Sequence, residues 1–134
     1  MIFPTIKTII KINRRQIEVF GGIYYPPDNL HNSDGLKWVL DAIQYPLFGV
    51  DVYPTLVDKG AILAQTIISG HVFYDGNKRT GMSALLYLFQ RNGRSLNVTD
   101  DELEEVAQKI ARGRSDRIYT YEDFVQWIAE KQSS

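Results

Sequence analysis

Cysteine is absent from this chain of 134 residues. That excludes a disulfide framework, thiolate-bound zinc or iron–sulfur, and a cysteine nucleophile. Neither charge is in excess, since 15 Lys and Arg against 16 Asp and Glu leave a formal net charge of −1. No broad basic field exists to drive non-specific nucleic-acid binding, and direct contact with nucleic acid is not expected. Long hydrophobic runs are also missing. Nothing approaches the roughly 18 consecutive apolar residues of a membrane span. The opening Met1-Ile2-Phe3-Pro4 has no basic residue ahead of an apolar segment, so a leader peptide is not expected and a cytoplasmic location is. What is present is ordinary for a globular protein, with 44% apolar and 23% charged residues. The length suits one domain over residues 1–134 with a core large enough to need no covalent staples.

The punctuation is concentrated in Gly21-Gly22-Ile23-Tyr24-Tyr25-Pro26-Pro27, which breaks both helix and strand. Ahead of it, Ile6, Ile9, Ile10, Ile17 and Phe20 fall near helical spacing, although the Ile-rich run from Thr5 to Ile12 also fits a strand. Leu36, Val39, Leu40 and Ile43 predict a second helix that stops before Pro46. Tyr45 to Pro54, with two prolines and a glycine, reads as an extended flap. Thr55 is an N-cap for a helix that is apolar almost all round and therefore buried, running to Gly70. Another helix starts near Asn77 and ends at Asn92-Gly93, a left-handed cap. Thr99-Asp100-Asp101-Glu102 is a capping box, and Thr120 opens the last helix. The acidic set from Asp100 to Glu105 opens its helix and Lys109, Arg112 and Arg114 close it, as the helix dipole favours. His31 falls in a polar stretch and reads as exposed loop; Tyr24, Tyr25, Trp38 and Trp127 read as core or groove lining. The expectation is an all-α helical bundle with a central hairpin of two buried helices and one short extended flap.

Polar chemistry gathers in the loop of that hairpin, His71-Val72-Phe73-Tyr74-Asp75-Gly76-Asn77-Lys78-Arg79. A helix start carries unpaired amide groups and the positive end of the dipole. Gly76 lets backbone approach an anion closely, and Asn77 can cap. Lys78 and Arg79 are unfavourable in a first turn unless a multiply charged anion sits there. Asp75 would repel such an anion unless a divalent metal such as Mg²⁺ bridges the two. Histidine is the side chain most suited to proton transfer at neutral pH, so His71 can take a proton from a hydroxyl nucleophile. Each residue alone has an ordinary structural explanation: a satisfied histidine, a solvated Lys-Arg face, an Asp-Gly-Asn turn. Their combination between two buried helices points to phosphoryl or nucleotidyl transfer from a metal-bound nucleotide. The loop is not a Walker A loop, because Asn77 separates Gly76 from Lys78.

The segment matches His-x-Phe-x-(Asp/Glu)-Gly-Asn-x-Arg at every fixed position, and so resembles the Fic/Doc family. The paired Gly21-Gly22, the Leu36–Ile43 helix and Asn92-Gly93 extend the resemblance over about residues 5–130. Lys78 stands where adenylylating Fic enzymes have Gly, and Met82 where they have a second Arg. Both features are similar to the Doc (death-on-curing) toxins. The resemblance then implies a kinase that moves the γ-phosphoryl of ATP onto a threonine of elongation factor Tu and halts translation. It makes His71 the general base and Asp75 the holder of Mg²⁺. Gly76, Asn77, Lys78 and Arg79 become phosphate binders, Phe73 an anchor of the loop, and Tyr45–Pro54 the flap that aligns a target segment. The Ser/Thr-x-x-x-Glu spacing of built-in inhibitory helices is absent. A separate antitoxin is implied instead, with a disordered tail that folds as a helix into a groove. The alternatives are a Fic-type adenylyltransferase that tolerates Lys78, and a catalytically inactive Fic-fold binding module.

Overall fold

The computed structural model describes residues 1–116 and 118–133, the side chains of 114–116 excepted. Six helices carry the fold among the described residues. Helix α1 spans Ile6–Phe20, α2 Ser33–Gln44, α3 Leu56–Ser69, α4 Asn77–Arg91, α5 Asp100–Asp116 and α6 Tyr121–Lys131. The Ile-rich N-terminal segment is helical, not a strand. Thr5 accepts the Thr8 amide hydrogen at 3.2 Å and starts the helix, and the Gly21 amide donates back to the Ile17 carbonyl at its end. Capping boxes open α3 at Thr55/Asp58 and α6 at Thr120/Asp123, and Thr99 and Glu102 exchange the same bonds at the start of α5. Helix α4 ends as its sequence predicts, with Gly93 left-handed and the Arg94 amide returning to the Phe89 carbonyl.

The central hairpin is α3 and α4, which pack closely along their length. Gly81 makes the approach possible. A Cβ there would lie 2.6 Å from the Ile68 side chain and 3.0 Å from the Ala64 carbonyl oxygen. Helices α2, α5 and α6 pack against α3, and α1 and α5 against α4, so the apolar residues form one contiguous buried cluster. Phe73, Phe89 and Phe124 are its largest members, and burying each contributes roughly 2–3 kcal/mol. Phe73 thereby anchors the signature loop in the core, as expected.

One element has no counterpart in the sequence pattern. Ser95–Leu96 pairs antiparallel with Gln132–Ser133, clipping the chain after α4 to the end of α6. Two-residue strands are too short to alternate visibly. Between α2 and α3 the flap is extended with one tight turn, where Leu47 and Val50 exchange hydrogen bonds of 2.8 and 2.9 Å around Phe48-Gly49. Both turn residues have positive φ, the type I′ pattern of a two-residue hairpin. Phe48 is fully exposed at its tip. Lys59, buried on α3, holds the base: its ammonium donates to the Ile43 carbonyl at 2.8 Å and lies 3.7 Å from Asp51. The Arg114 side chain and Arg117, which with Arg112 make a basic group in the sequence that could contact an acidic partner, lie outside the described residues.

Candidate active site at the start of α4

The signature loop is shaped by a second segment that runs beside it. The His31 and Asn32 amides both donate to the Val72 carbonyl, at 2.9 and 3.0 Å, and the Tyr74 amide donates to the Asn29 carbonyl at 3.0 Å. The Asn32 side chain adds a bond to the Gly70 carbonyl at 3.0 Å. These bonds hold His71 in the left-handed region, at φ 48°, which histidine visits more readily than most residues. His31 is exposed, as expected, yet it is not a bystander. Its Nδ1 lies 3.2 Å from the His71 carbonyl oxygen, a contact that requires the hydrogen on Nδ1, and its ring meets Tyr74 edge-on. The His71 side chain is exposed at the end of α3.

Asp75 uses both carboxylate oxygens. Oδ1 accepts the Gly76 amide hydrogen and Oδ2 the Ile23 amide hydrogen, each at 2.8 Å, which ties the turn after α1 to the loop. The N-cap of α4 is Gly76, not Asn77, and no side chain caps the helix. Gly76 is required there twice over: its φ is 79°, and a Cβ would lie 3.0 Å from Ile17 and 3.1 Å from the Asn13 amide nitrogen. Asn77 turns back on the loop instead. It accepts the Phe73 amide hydrogen at 2.9 Å and donates to the Phe73 carbonyl at 2.8 Å, so its side chain braces the loop. Its backbone amide stays with those of Lys78 and Arg79 in the uncapped first turn.

That turn contains no acid. Lys78 and Arg79 are exposed, and neither forms an ion pair among the described residues. Arg79 lies over the Phe20 ring, its guanidinium carbon 3.9 Å from the centroid. One turn on, Met82 is buried where a second arginine would have reached out. The structure thus gathers Gly76, Lys78 and Arg79 around an open positive helix end, with Asp75 and His71 on the loop that leads into it. Among the described residues no group of three His, Cys, Asp or Glu could hold a metal unaided. A single carboxylate with spare lone pairs beside an uncapped helix end would fit Mg²⁺, which takes one or two carboxylates and completes its shell with phosphate oxygens and water.

Sequence reasoning missed the buried support of this site. Asn13, Asn29 and Thr80 are fully buried. Asn13 donates to the Asp75 carbonyl at 2.9 Å and the Thr80 hydroxyl at 3.1 Å, and accepts from Asn29 at 3.0 Å. A signal existed, because Asn13 occupies a core position in the apolar stripe of α1, between Ile9 and Ile17.

Alongside the α4 start runs a groove of about 630 Å³ between α1, α4 and α5, lined by Phe20, Arg79, Met82 and Leu86 on one side and Leu103 and Glu104 on the other. No helix among the described residues is long and apolar enough to cross a membrane.

Comparison with known proteins agrees with this geometry. A relative named Toxin Doc, from Mycolicibacterium smegmatis, is 37% identical over 70 residues, 51% of this chain and 54% of its own length. The match therefore spans about half of that relative. The model of the Fic/DOC family matches residues 3–89, which include α1, the flap, the central hairpin and the whole signature loop. This chain belongs to the Fic/DOC family.

Proposed function

We propose that the protein is a Doc-type toxin, a single-domain cytoplasmic enzyme that transfers the γ-phosphoryl group of ATP to a hydroxyl of a target protein. The observation that carries this reading is the start of α4: an uncapped helix end, a left-handed glycine and two cations with no acidic partner among the described residues, reached from a loop that presents His71. A triphosphate would satisfy the amides, the dipole and both side chains together. Asp75 would hold Mg²⁺, which supplies charge neutralisation between the phosphates. His71 takes the proton of the acceptor hydroxyl as that oxygen bonds to the γ-phosphorus. The bond to the bridging β–γ oxygen breaks, and ADP leaves.

Lys78 and buried Met82 favour the kinase sense over adenylyl transfer, since a lysine in the first turn takes room that a glycine would leave open and the methionine supplies no charge for further phosphates. A threonine of elongation factor Tu is the proposed acceptor, presented by the flap, where Phe48, Val50 and Val52 are exposed. An antitoxin helix seated in the groove beside Arg79 would cover the anion site, giving the partner a direct means of inhibition. The test is to incubate the protein with elongation factor Tu and ATP labelled on either the α- or the γ-phosphate. Transfer of γ-label supports the kinase. Transfer of α-label replaces it with an adenylyltransferase, and no transfer of either removes both for this target.

A further inference from the structure

Phe20 is a large aromatic residue that remains 57% exposed at the end of α1, so burial does not explain its position. Its ring lies under Arg79 at 3.9 Å, closer than the other cation–ring contacts among the described residues, which range from 5.4 to 6.0 Å. The chemistry of that contact matters. A guanidinium resting on a ring keeps its five N–H donors in its own plane, so the face is held while the donor edge stays free. A carboxylate partner would fix the arginine equally well, but would neutralise it and occupy the donors. None pairs with Arg79 among the described residues.

The same corner of the chain is gripped a second time. Three residues after Phe20, the Ile23 amide donates to Asp75 at 2.8 Å. Asp75 and Arg79 are four residues apart, so the corner from Phe20 to Ile23 is held at both ends of the loop-to-helix junction.

We infer that Phe20 is a positioning residue for Arg79, holding the guanidinium in place for a phosphate without spending its hydrogen-bond donors. This rests on the proposed role of Arg79 in nucleotide binding. A long arginine side chain loses considerable rotamer freedom when it binds, and stacking in advance removes part of that cost. The expected effect is that of one exposed cation–π contact, about twofold to fivefold in affinity.

The experiment measures ATP affinity with Mg²⁺ present by titration calorimetry, with no acceptor protein, for Phe20→Leu, Phe20→Tyr, Arg79→Ala and Phe20→Leu/Arg79→Ala. Circular dichroism confirms folding of each, which the exposure of Phe20 leads us to expect. Phe20→Leu keeps an apolar side chain but loses the ring face, and should bind ATP about twofold to fivefold more weakly. Phe20→Tyr should match the original protein, and Phe20→Leu should add nothing once Arg79 is removed. If Phe20→Leu binds normally, if tyrosine fails to rescue, or if the loss persists without Arg79, the positioning role is overturned while the nucleotide reading stands. If Arg79→Ala itself leaves ATP affinity unchanged, the phosphate-binding role of Arg79 fails and this inference with it.

Discussion

The Asn13 side-chain amide, on α1, donates a hydrogen bond of 2.9 Å to the main-chain carbonyl of Asp75, 62 residues away. The same amide group bonds Thr80 and Asn29, so one buried residue joins the first helix, the bracing segment, the signature loop and the first turn of α4. The Asp75 carbonyl also receives a longer bond of 3.3 Å from Asn29. The site is thus set from beneath, by amides that touch no ligand.

Asn13→Leu should test that support. Leucine has similar volume but leaves the Thr80 hydroxyl and the Asn29 amide without this partner in a dry interior. Unsatisfied buried groups cost about 1–3 kcal/mol each, so a loss of at least about 2 kcal/mol in urea unfolding is expected. ATP affinity should fall as well, because the loop carrying Asp75 and Gly76 loses its anchor. An unfolding free energy within about 0.5 kcal/mol of the original, the range of an ordinary surface change, would falsify the idea.

His71→Ala should abolish transfer and leave the fold intact. The side chain is exposed and caps no helix, and the residue's backbone is held through its carbonyl and its neighbours. General-base catalysis contributes roughly a hundredfold to ten-thousandfold, so the variant should keep less than about a hundredth of the rate. Alanine is less at ease than histidine at φ 48°, which gives a small stability loss of order 1 kcal/mol. Activity well above that level in a folded variant removes His71 from the role of base.

How far the site was legible follows from the range of each interaction. The caps at Thr55, Thr99 and Thr120 could be read because partner and cap are three residues apart, and the loop stood out as a concentration of unlike polar groups. Asn77 deceived, since an Asn at a helix start normally caps. Here Gly76 takes that position in the left-handed region, and Asn77 grips Phe73. His31 read as plain exposed loop because its contact with His71 crosses 40 residues. The helix-or-strand ambiguity of α1 came from its isoleucines, which favour strands locally. Packing decided it, by burying Ile9 and Asn13 on one face. The pair at Ser95–Leu96 and Gln132–Ser133 had no local signal at all.

Arg79→Ala should separate ligand binding from stability. Without nucleotide Arg79 rests on the exposed Phe20 ring and forms no ion pair among the described residues, and its charge opposes the positive end of α4. Removing it should change thermal unfolding of the free protein little, with losses and gains both of order 0.5–1 kcal/mol. ATP affinity should drop about tenfold or more, the worth of a charge-assisted hydrogen bond. A marked drop in unfolding temperature without nucleotide, joined to normal ATP binding, would assign Arg79 a structural task instead.

Lys78→Gly addresses the direction of the reaction. Lys78 stands in the first turn of α4, exposed and without an ion pair among the described residues, so its ammonium is free to meet a phosphate bound at the uncapped amides. With the lysine in place, room for an α- and β-phosphate pair is reduced, and the ammonium is available to whichever phosphate lies there. On the proposed kinase reading the nucleotide then points its terminal phosphate toward His71 and the flap. Glycine would open that space and remove the cation, and would also cost about 1 kcal/mol of helix stability in an exposed position. Transfer of γ-label should fall by about tenfold or more, as expected for one lost charge-assisted contact. Weak transfer of α-label should emerge, limited because Met82 is buried and brings no charge to the added phosphates. The two labels are followed in parallel on the same acceptor. Undiminished γ-transfer by Lys78→Gly would show that the ammonium does not set the orientation of the nucleotide.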